Sequence, residues 1–139
     1  MDILEFRGET KWLSNYHLGA VIYEGVTYPA IENAFQAAKT EPALREPFKF
    51  CTPAESKKLG RSVPLRSDWE YIKLNVMRMC IQSKFTAGTE LAERLKATAP
   101  GQLVEGNTWN DVFWGVCNGV GQNNLGKLLM EQRATLLAK

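Results

Sequence analysis

The spacing of apolar and polar residues changes along the chain, and each change marks a predicted element. Up to residue 28 the pattern reads as strand and loop. Val21-Ile22-Tyr23 and Val26-Thr27-Tyr28 flank Glu24-Gly25, the layout of a hairpin with a two-residue turn. From Pro29 the period becomes helical, and a helix is expected over about 30–40, since proline suits a first turn. Thr52-Pro53-Ala54-Glu55 and Ser67-Asp68-Trp69-Glu70 both have the spacing of a capping box. The first opens a short helix that Gly60 can stop, and the second opens a longer one running to about Phe85, with Gly88 beyond. In that longer helix Trp69, Ile72, Val76, Met79, Cys80 and Ser83 recur at helical spacing and are expected to face the core. Further helices are expected from Glu90 to Ala97, closed by Pro100-Gly101, and from about Asn123 to Leu137, where Leu125, Leu128, Leu129 and Leu136 share a face. Short strands are expected over 102–105 and 113–117. The sum is an α+β fold, mostly helical with a small β-sheet.

The chain's 139 residues suit one domain, 1–139, and no linker or internal repeat divides them. Hydrophobic residues make up 45% and charged residues 23%, which excludes disorder, collagen-like sequence and low complexity. No apolar run approaches the roughly 18 residues of a membrane span, and Met1-Asp2-Ile3-Leu4-Glu5 lacks the basic-then-apolar pattern of a secretory signal. A cytoplasmic protein without membrane contact or an obligate protein partner is expected. Lys and Arg number 17 against 15 Asp and Glu, a net charge of +2. That balance argues against coating of bulk DNA and leaves room for a site that takes one phosphorylated nucleotide. Cys51, Cys80 and Cys117 are widely spaced and read as free, reduced thiols. With His17 as the one histidine, no metal site is expected.

Three segments could carry chemistry. In the helix over 30–40, Ile31, Ala34, Phe35 and Ala38 form an apolar arc. Glu32, Gln36 and Lys39 fall beside it at i, i+4 and i+7. A carboxylate, an amide and an ammonium thus line one helix edge, which fits either a cleft wall or a solvated salt-bridging edge. The segment from Glu105 to Gly115 holds two carboxylates and two indoles; Trp114 fits either a stacking surface for a base or the core. Gly119-Val120-Gly121-Gln122-Asn123-Asn124-Leu125-Gly126 leads into the last helix and fits either a small anion site or a plain loop with an Asn cap. A dinucleotide fingerprint fails there, because Asn124 stands where a third glycine is needed and too little chain follows. Gly126 inside a helix implies close approach of another backbone or of a ligand. Lys57, Lys58, Arg61 and Arg66 form a local basic cluster, either a solvated surface or a phosphate clamp.

Taken together, these segments resemble the NADAR, or YbiA-like, family. The resemblance runs through Trp12-Leu13-Ser14-Asn15-Tyr16 and the block from Tyr28 to Lys39, then Gly60-Arg61, Trp69, Met77 and Lys84-Phe85. It ends with Glu105, the run from Asp111 to Gly115, and the run from Gly121 to Arg133. The chain departs from the family pattern at Asn33, where many members have histidine, and at an insertion-like Thr108-Trp109.

The resemblance implies a YbiA-like single domain with cofactor-free N-glycosidase chemistry. The substrate it implies is a phosphorylated ribosylamine, including riboflavin-pathway intermediates, or ADP-ribose joined to guanine in a nucleotide or DNA. It implies catalytic roles for Glu32, Lys39 and Asp111 and substrate contacts from Asn15, Tyr16, Gln36, Lys84, Trp114 and Asn123. Two other classes compete: a non-catalytic ADP-ribose or nucleotide-binding module, and a small nucleic-acid-binding domain.

Overall fold

The hairpin forms as its turn residues dictate. In the computed structural model, which describes all 139 residues, strands β1 (Val21–Tyr23) and β2 (Val26–Tyr28) pair antiparallel, Val21 opposite Tyr28 and Tyr23 opposite Val26. Glu24 and Gly25 both take positive φ, 47° and 80°, the geometry that matches the twist of a two-residue hairpin. By its contacts the chain forms two compact units. The central unit is Asn15–Lys84, and the terminal unit joins Met1–Ser14 to Phe85–Lys139.

The central unit is built around helix α1 (Ile31–Ala38), all eight residues of which are buried. Helices α2 (Pro53–Gly60) and α3 (Trp69–Lys84), both strands and a short 3-10 turn at Glu46–Lys49 pack on it. Phe35 of α1 meets Trp69 of α3 with ring centroids 4.9 Å apart. Thr52 caps α2 through the full capping box with Glu55. The second expected box does not form. Asp68 is paired with Arg66, its carbonyl accepts the Ile72 N–H at 3.1 Å, and α3 therefore starts at Trp69 with Asp68 at the cap. The buried face of α3 also differs from the expected one. Trp69, Val76 and Cys80 are buried as read, but Met77 and Ile81 join them while Met79 is 39% exposed. Ser83 uses its Oγ to accept the Ile22 N–H at 2.8 Å, closing an otherwise open position on β1.

In the terminal unit the two ends of the chain share a core. Helix α4 (Glu90–Ala97) is capped by Thr89, whose side chain accepts the Ala92 N–H. Helix α5 (Asn124–Leu137) buries Leu125, Leu128, Leu129 and Leu136 as its periodicity requires. The strand expected over 102–105 does not form, and the one expected over 113–117 is cut to β4 (Val116–Cys117), which pairs in parallel with a two-residue strand just beyond the expected one, β3 (Gly106–Asn107); the chain between them is held by side-chain bonds instead of a ladder. Leu103 makes an isolated bridge to Ile3. Trp12 lies edge-on to Phe85, 6.2 Å between centroids, and the Arg94 guanidinium sits 4.5 Å over its ring.

Candidate active site

The first turn of an α-helix leaves backbone N–H groups without helical partners. In α1 the cap residue is Ala30, which has no side-chain acceptor to offer. The Asn15 carbonyl serves instead, accepting the Glu32 N–H at 3.0 Å. This bond docks the Asn15-Tyr16 segment on the start of α1. The Asn15 amide donates to Met77 Sδ at 3.8 Å, and its buried Oδ1 is left without a partner. A buried acceptor of this kind calls for an explanation, and an incoming hydroxyl or N–H is one.

The edge of α1 is not solvated. Glu32 is 8% exposed and Gln36 4%. Gln36 Nε2 donates to Glu32 Oε2 at 2.6 Å, a short charge-assisted bond one turn apart on the helix. Glu32 also lies in the first turn, where the helix dipole favours a carboxylate. Lys39 is half-buried at the other end of α1, and burial lowers its ammonium below the usual lysine value. The charge of Glu32 opposes that, while Lys57, Arg61 and Lys73 reinforce it. Burial raises the Tyr16 hydroxyl first, the Glu32 charge raises it further and Arg61 lowers it. Tyr16, Glu32, Lys39 and Arg61 thus share one electrostatic neighbourhood. Of these, Arg61 stood in the sequence as part of a basic run and of the Gly60-Arg61 match, without a role assigned to it. The other arginine of that run, Arg66, faces elsewhere and binds Asp68 with two nitrogens, at 2.6 and 3.1 Å.

Two further groups of α3 are shaped by burial. Lys84 is 3% exposed, and desolvation brings its pKa down to about 7. Burial, with a smaller push from Glu32, carries the Cys80 thiol up to about 12, which makes it an inert neighbour. Asn33, at the family's histidine position, is wholly buried and points away from this chemistry. Its amide donates to the Phe48 carbonyl at 3.0 Å and the Cys51 carbonyl at 2.9 Å, tying down the chain before α2. A cavity of about 640 Å³ elsewhere in the central unit is lined by Thr40, Arg45, Arg66, Asp68 and Glu24, with its arginines already paired to its acids.

The terminal unit holds the other candidates. Asn107 organises the loop from 105 to 111: its Nδ2 donates to Asp111 O at 2.9 Å and Glu105 Oε2 at 3.0 Å, and its Oδ1 accepts the Asp111 N–H at 3.1 Å. Asp111 Oδ1 in turn accepts the Trp114 N–H at 2.9 Å. The Trp114 ring is partly exposed and meets Phe113 edge-on at 4.8 Å, so it is neither core nor free surface. Trp109 is more exposed, 53%, with the Arg7 guanidinium 5.7 Å from its ring. Asn123 does not cap α5 with its side chain. Both ends of its amide are used inside the fold, accepting the Glu105 N–H at 2.9 Å and donating to Leu103 O at 2.9 Å. Gly126 meets the close approach expected of it: a Cβ there would lie 2.0 Å from the Leu103 carbonyl oxygen.

The chain is 42% identical over 128 residues to N-glycosidase YbiA of Shigella boydii, covering 88% of this chain and 79% of that protein. It is 33% identical over 130 residues to a riboflavin biosynthesis protein of Vibrio vulnificus, covering 90% of this chain and 35% of that longer protein. The NMR structure of Escherichia coli YbiA superposes with a TM-score of 0.85 at 36% identity, over 99% of this chain and 84% of that one. Residues 5–137 match the NADAR domain, so the chain belongs to the NADAR domain family, the family of the N-glycosidases it resembles.

Proposed function

We propose that this protein is an N-glycosidase that hydrolyses the C1–N bond of a 5-phosphorylated ribosylamine. The observation that carries the reading is Glu32: a buried carboxylate in a helix's first turn, oriented by Gln36 and neighboured by Lys39, Arg61 and Tyr16. As a ribosyl C–N bond breaks, positive charge grows on C1 and the ring oxygen, and the electron pair of the bond passes to the leaving nitrogen. A carboxylate stabilises the first and a proton source serves the second. Glu32 takes a proton from water as the water oxygen bonds to C1. Glu32 then delivers that proton to the leaving nitrogen, which regenerates the carboxylate and gives the free amine and the sugar hemiacetal as products. Lys39 and Arg61 keep Glu32 ionised and attract the substrate phosphate. Tyr16 and the open Asn15 Oδ1 receive the sugar or base.

The roles of Asp111, in holding hydroxyls, and of Trp114, in stacking on a base at about 1–3 kcal/mol, are proposals of the same kind. They draw support from the carboxylate that fixes the Trp114 backbone and from that ring's partial exposure. Lys84 supports a second route. An amine with a pKa near 7 is partly neutral at physiological pH and can attack C1 of the ring-opened sugar to form a Schiff base, expelling the amine. Borohydride added during turnover traps that species on Lys84 and leaves direct hydrolysis untouched.

The deciding experiment offers the protein a phosphoribosylamino-pyrimidine and, separately, ADP-ribosylated guanosine and DNA, and measures the base released. Release from the first substrate is expected. Binding without release from any of them would make this a nucleotide-binding module, and release only from ADP-ribosylated guanine would move the substrate assignment to ADP-ribose. Glu32→Gln should lower kcat by about 10²–10⁴ with an unchanged melting temperature; normal turnover by that variant overturns the role of Glu32.

A further inference from the structure

Gly60 ends helix α2 with an ordinary helical backbone, so no unusual torsion requires glycine there. Helix propensity alone would favour alanine. The reason for glycine lies across the α1–α2 contact. A Cβ at Gly60 would stand 2.0 Å from Gln36 Oε1 and 2.9 Å from Gln36 Cδ. The Gln36 amide thus fills the space that a side chain at 60 would need.

The same amide donates through Nε2 to Glu32 Oε2 at 2.6 Å, while its Oε1 is buried with no hydrogen-bond partner. An amide that leaves its oxygen unsatisfied in order to aim its nitrogen at a carboxylate is held there by packing. The colliding atoms are the far end of a flexible side chain and not backbone, so a methyl group at 60 can be accommodated by moving Gln36. Cδ must move with Oε1, and Nε2 then leaves Glu32. The fold survives such a change and the orientation of the carboxylate does not.

We propose that Gly60 is a positioning residue for Glu32: its missing side chain makes the seat from which the Gln36 amide orients the carboxylate. This rests on the reading of Glu32 as the group that activates water. It explains why the Gly60-Arg61 pair is informative in the sequence: Arg61 supplies charge, and Gly60 supplies room.

The test is a double-mutant cycle of wild type, Gly60→Ala, Gln36→Ala and the double variant, assayed for release of the amine from a phosphoribosylamino-pyrimidine. Gly60→Ala should lower kcat by about 10²-fold, the scale of an ångström's misplacement, with KM changed less than about threefold. Its acid limb should move to higher pH, because a carboxylate that loses a donated N–H binds a proton more readily. The double variant should be no slower than Gln36→Ala alone. Wild-type kcat and pH profile in Gly60→Ala, or losses that multiply in the double variant, would overturn the proposal. If Gly60→Ala fails to fold, a folded double variant still supports it, and an unfolded one overturns it. The side-chain amide signal of Gln36 in an NMR spectrum separates the two layers of the argument. Its displacement in Gly60→Ala is expected even if Glu32→Gln proves fully active, a result that would sink the role of Glu32 and leave the seat intact.

Discussion

Lys84 is the residue whose surroundings most alter its chemistry, and the alteration has a sign that solution measurements can read. Burial lowers its folded pKa to about 7, while an unfolded chain keeps it near the ordinary lysine value of about 10.4. Between those values the unfolded state binds more protons, so stability rises with pH through that window. Below about 7 both states are protonated and the full cost of burying an ammonium applies. Cys80, carried up to about 12, works the other way once pH passes the ordinary thiol value of about 8.5. The contribution of Lys84 is therefore cleanest between about pH 7 and 8.5. Urea titrations should show the wild type gaining about 1–2 kcal/mol across that range beyond any gain of Lys84→Met; parallel pH dependences for the two proteins would contradict the burial argument. At the same scale, the sequence made Glu32, Gln36 and Lys39 visible as a periodic set but left open whether their edge was wet. Periodicity reports which residues share a face. It does not report what lies opposite, and the packing of α2 and α3 over α1 decided that Glu32 and Gln36 are enclosed and Lys39 half-buried. Asn33 teaches the same lesson in reverse. In sequence it is only a departure from the family pattern next to Glu32; a helix turns about 100° per residue, which aims it at the carbonyls of Phe48 and Cys51.

Among the elements, helices with strong local signals were read nearly to the residue, and elements that depend on remote partners were not. The hairpin turn, the box at Thr52 and the leucine face of α5 each carry their cause within a few neighbouring residues. The buried face of α3 shifted toward Met77 and Ile81 because a 16-residue helix with apolar residues on several sides lets its neighbours choose the face. The strand expected over 102–105 is absent and the one over 113–117 is cut to two residues, because Asn107 and Asp111 bond the intervening loop to itself and Asn123 takes the Glu105 N–H. Their asparagines are legible afterwards as well: Asn110, Asn118 and Asn123 all take positive φ, the region that asparagine tolerates best among side-chain-bearing residues. Gly126 in α5 gives a prediction in which propensity and packing have opposite signs. Alanine there would gain up to about 1 kcal/mol of helix propensity. Its Cβ would lie 2.0 Å from the Leu103 carbonyl oxygen and within 2.5 Å of the Asn123 amide that donates to the same carbonyl. Packing should win: Gly126→Ala should destabilise by about 1–3 kcal/mol in chemical unfolding, and a variant as stable as the wild type would mean that the contact can relax.

For the whole molecule, the terminal unit is closed by bonds between residues up to about 100 positions apart in sequence. Ile3 gives its N–H to the Gln102 carbonyl and takes the Val104 N–H, both at 2.8 Å, and Asp2 Oδ1 accepts the Gln102 N–H at 2.9 Å. Removing residues 1–4 should therefore unravel the support of Leu103 and cost about 1–3 kcal/mol, a drop of several degrees in melting temperature. A truncated chain that melts with the full-length one would show these bonds to be idle. No linker in the sequence hints at the division into two units. The chain leaves one unit and enters the other after Ser14 and after Lys84, beside a 3-10 turn and at a helix end, where composition does not change.

By itself the sequence determined the elements whose causes are local and the set of residues that chemistry could use. It also carried membership of the NADAR family, because several motifs in order survive whatever the rest of the chain does. Only the tertiary structure decided that the α1 edge is buried, that Arg61 and not Arg66 keeps company with Glu32, and that Asn33 and Asn123 spend their amides on the backbone. Each of those outcomes depends on which distant atoms arrive opposite a side chain, and a period along one helix contains no information about its neighbours.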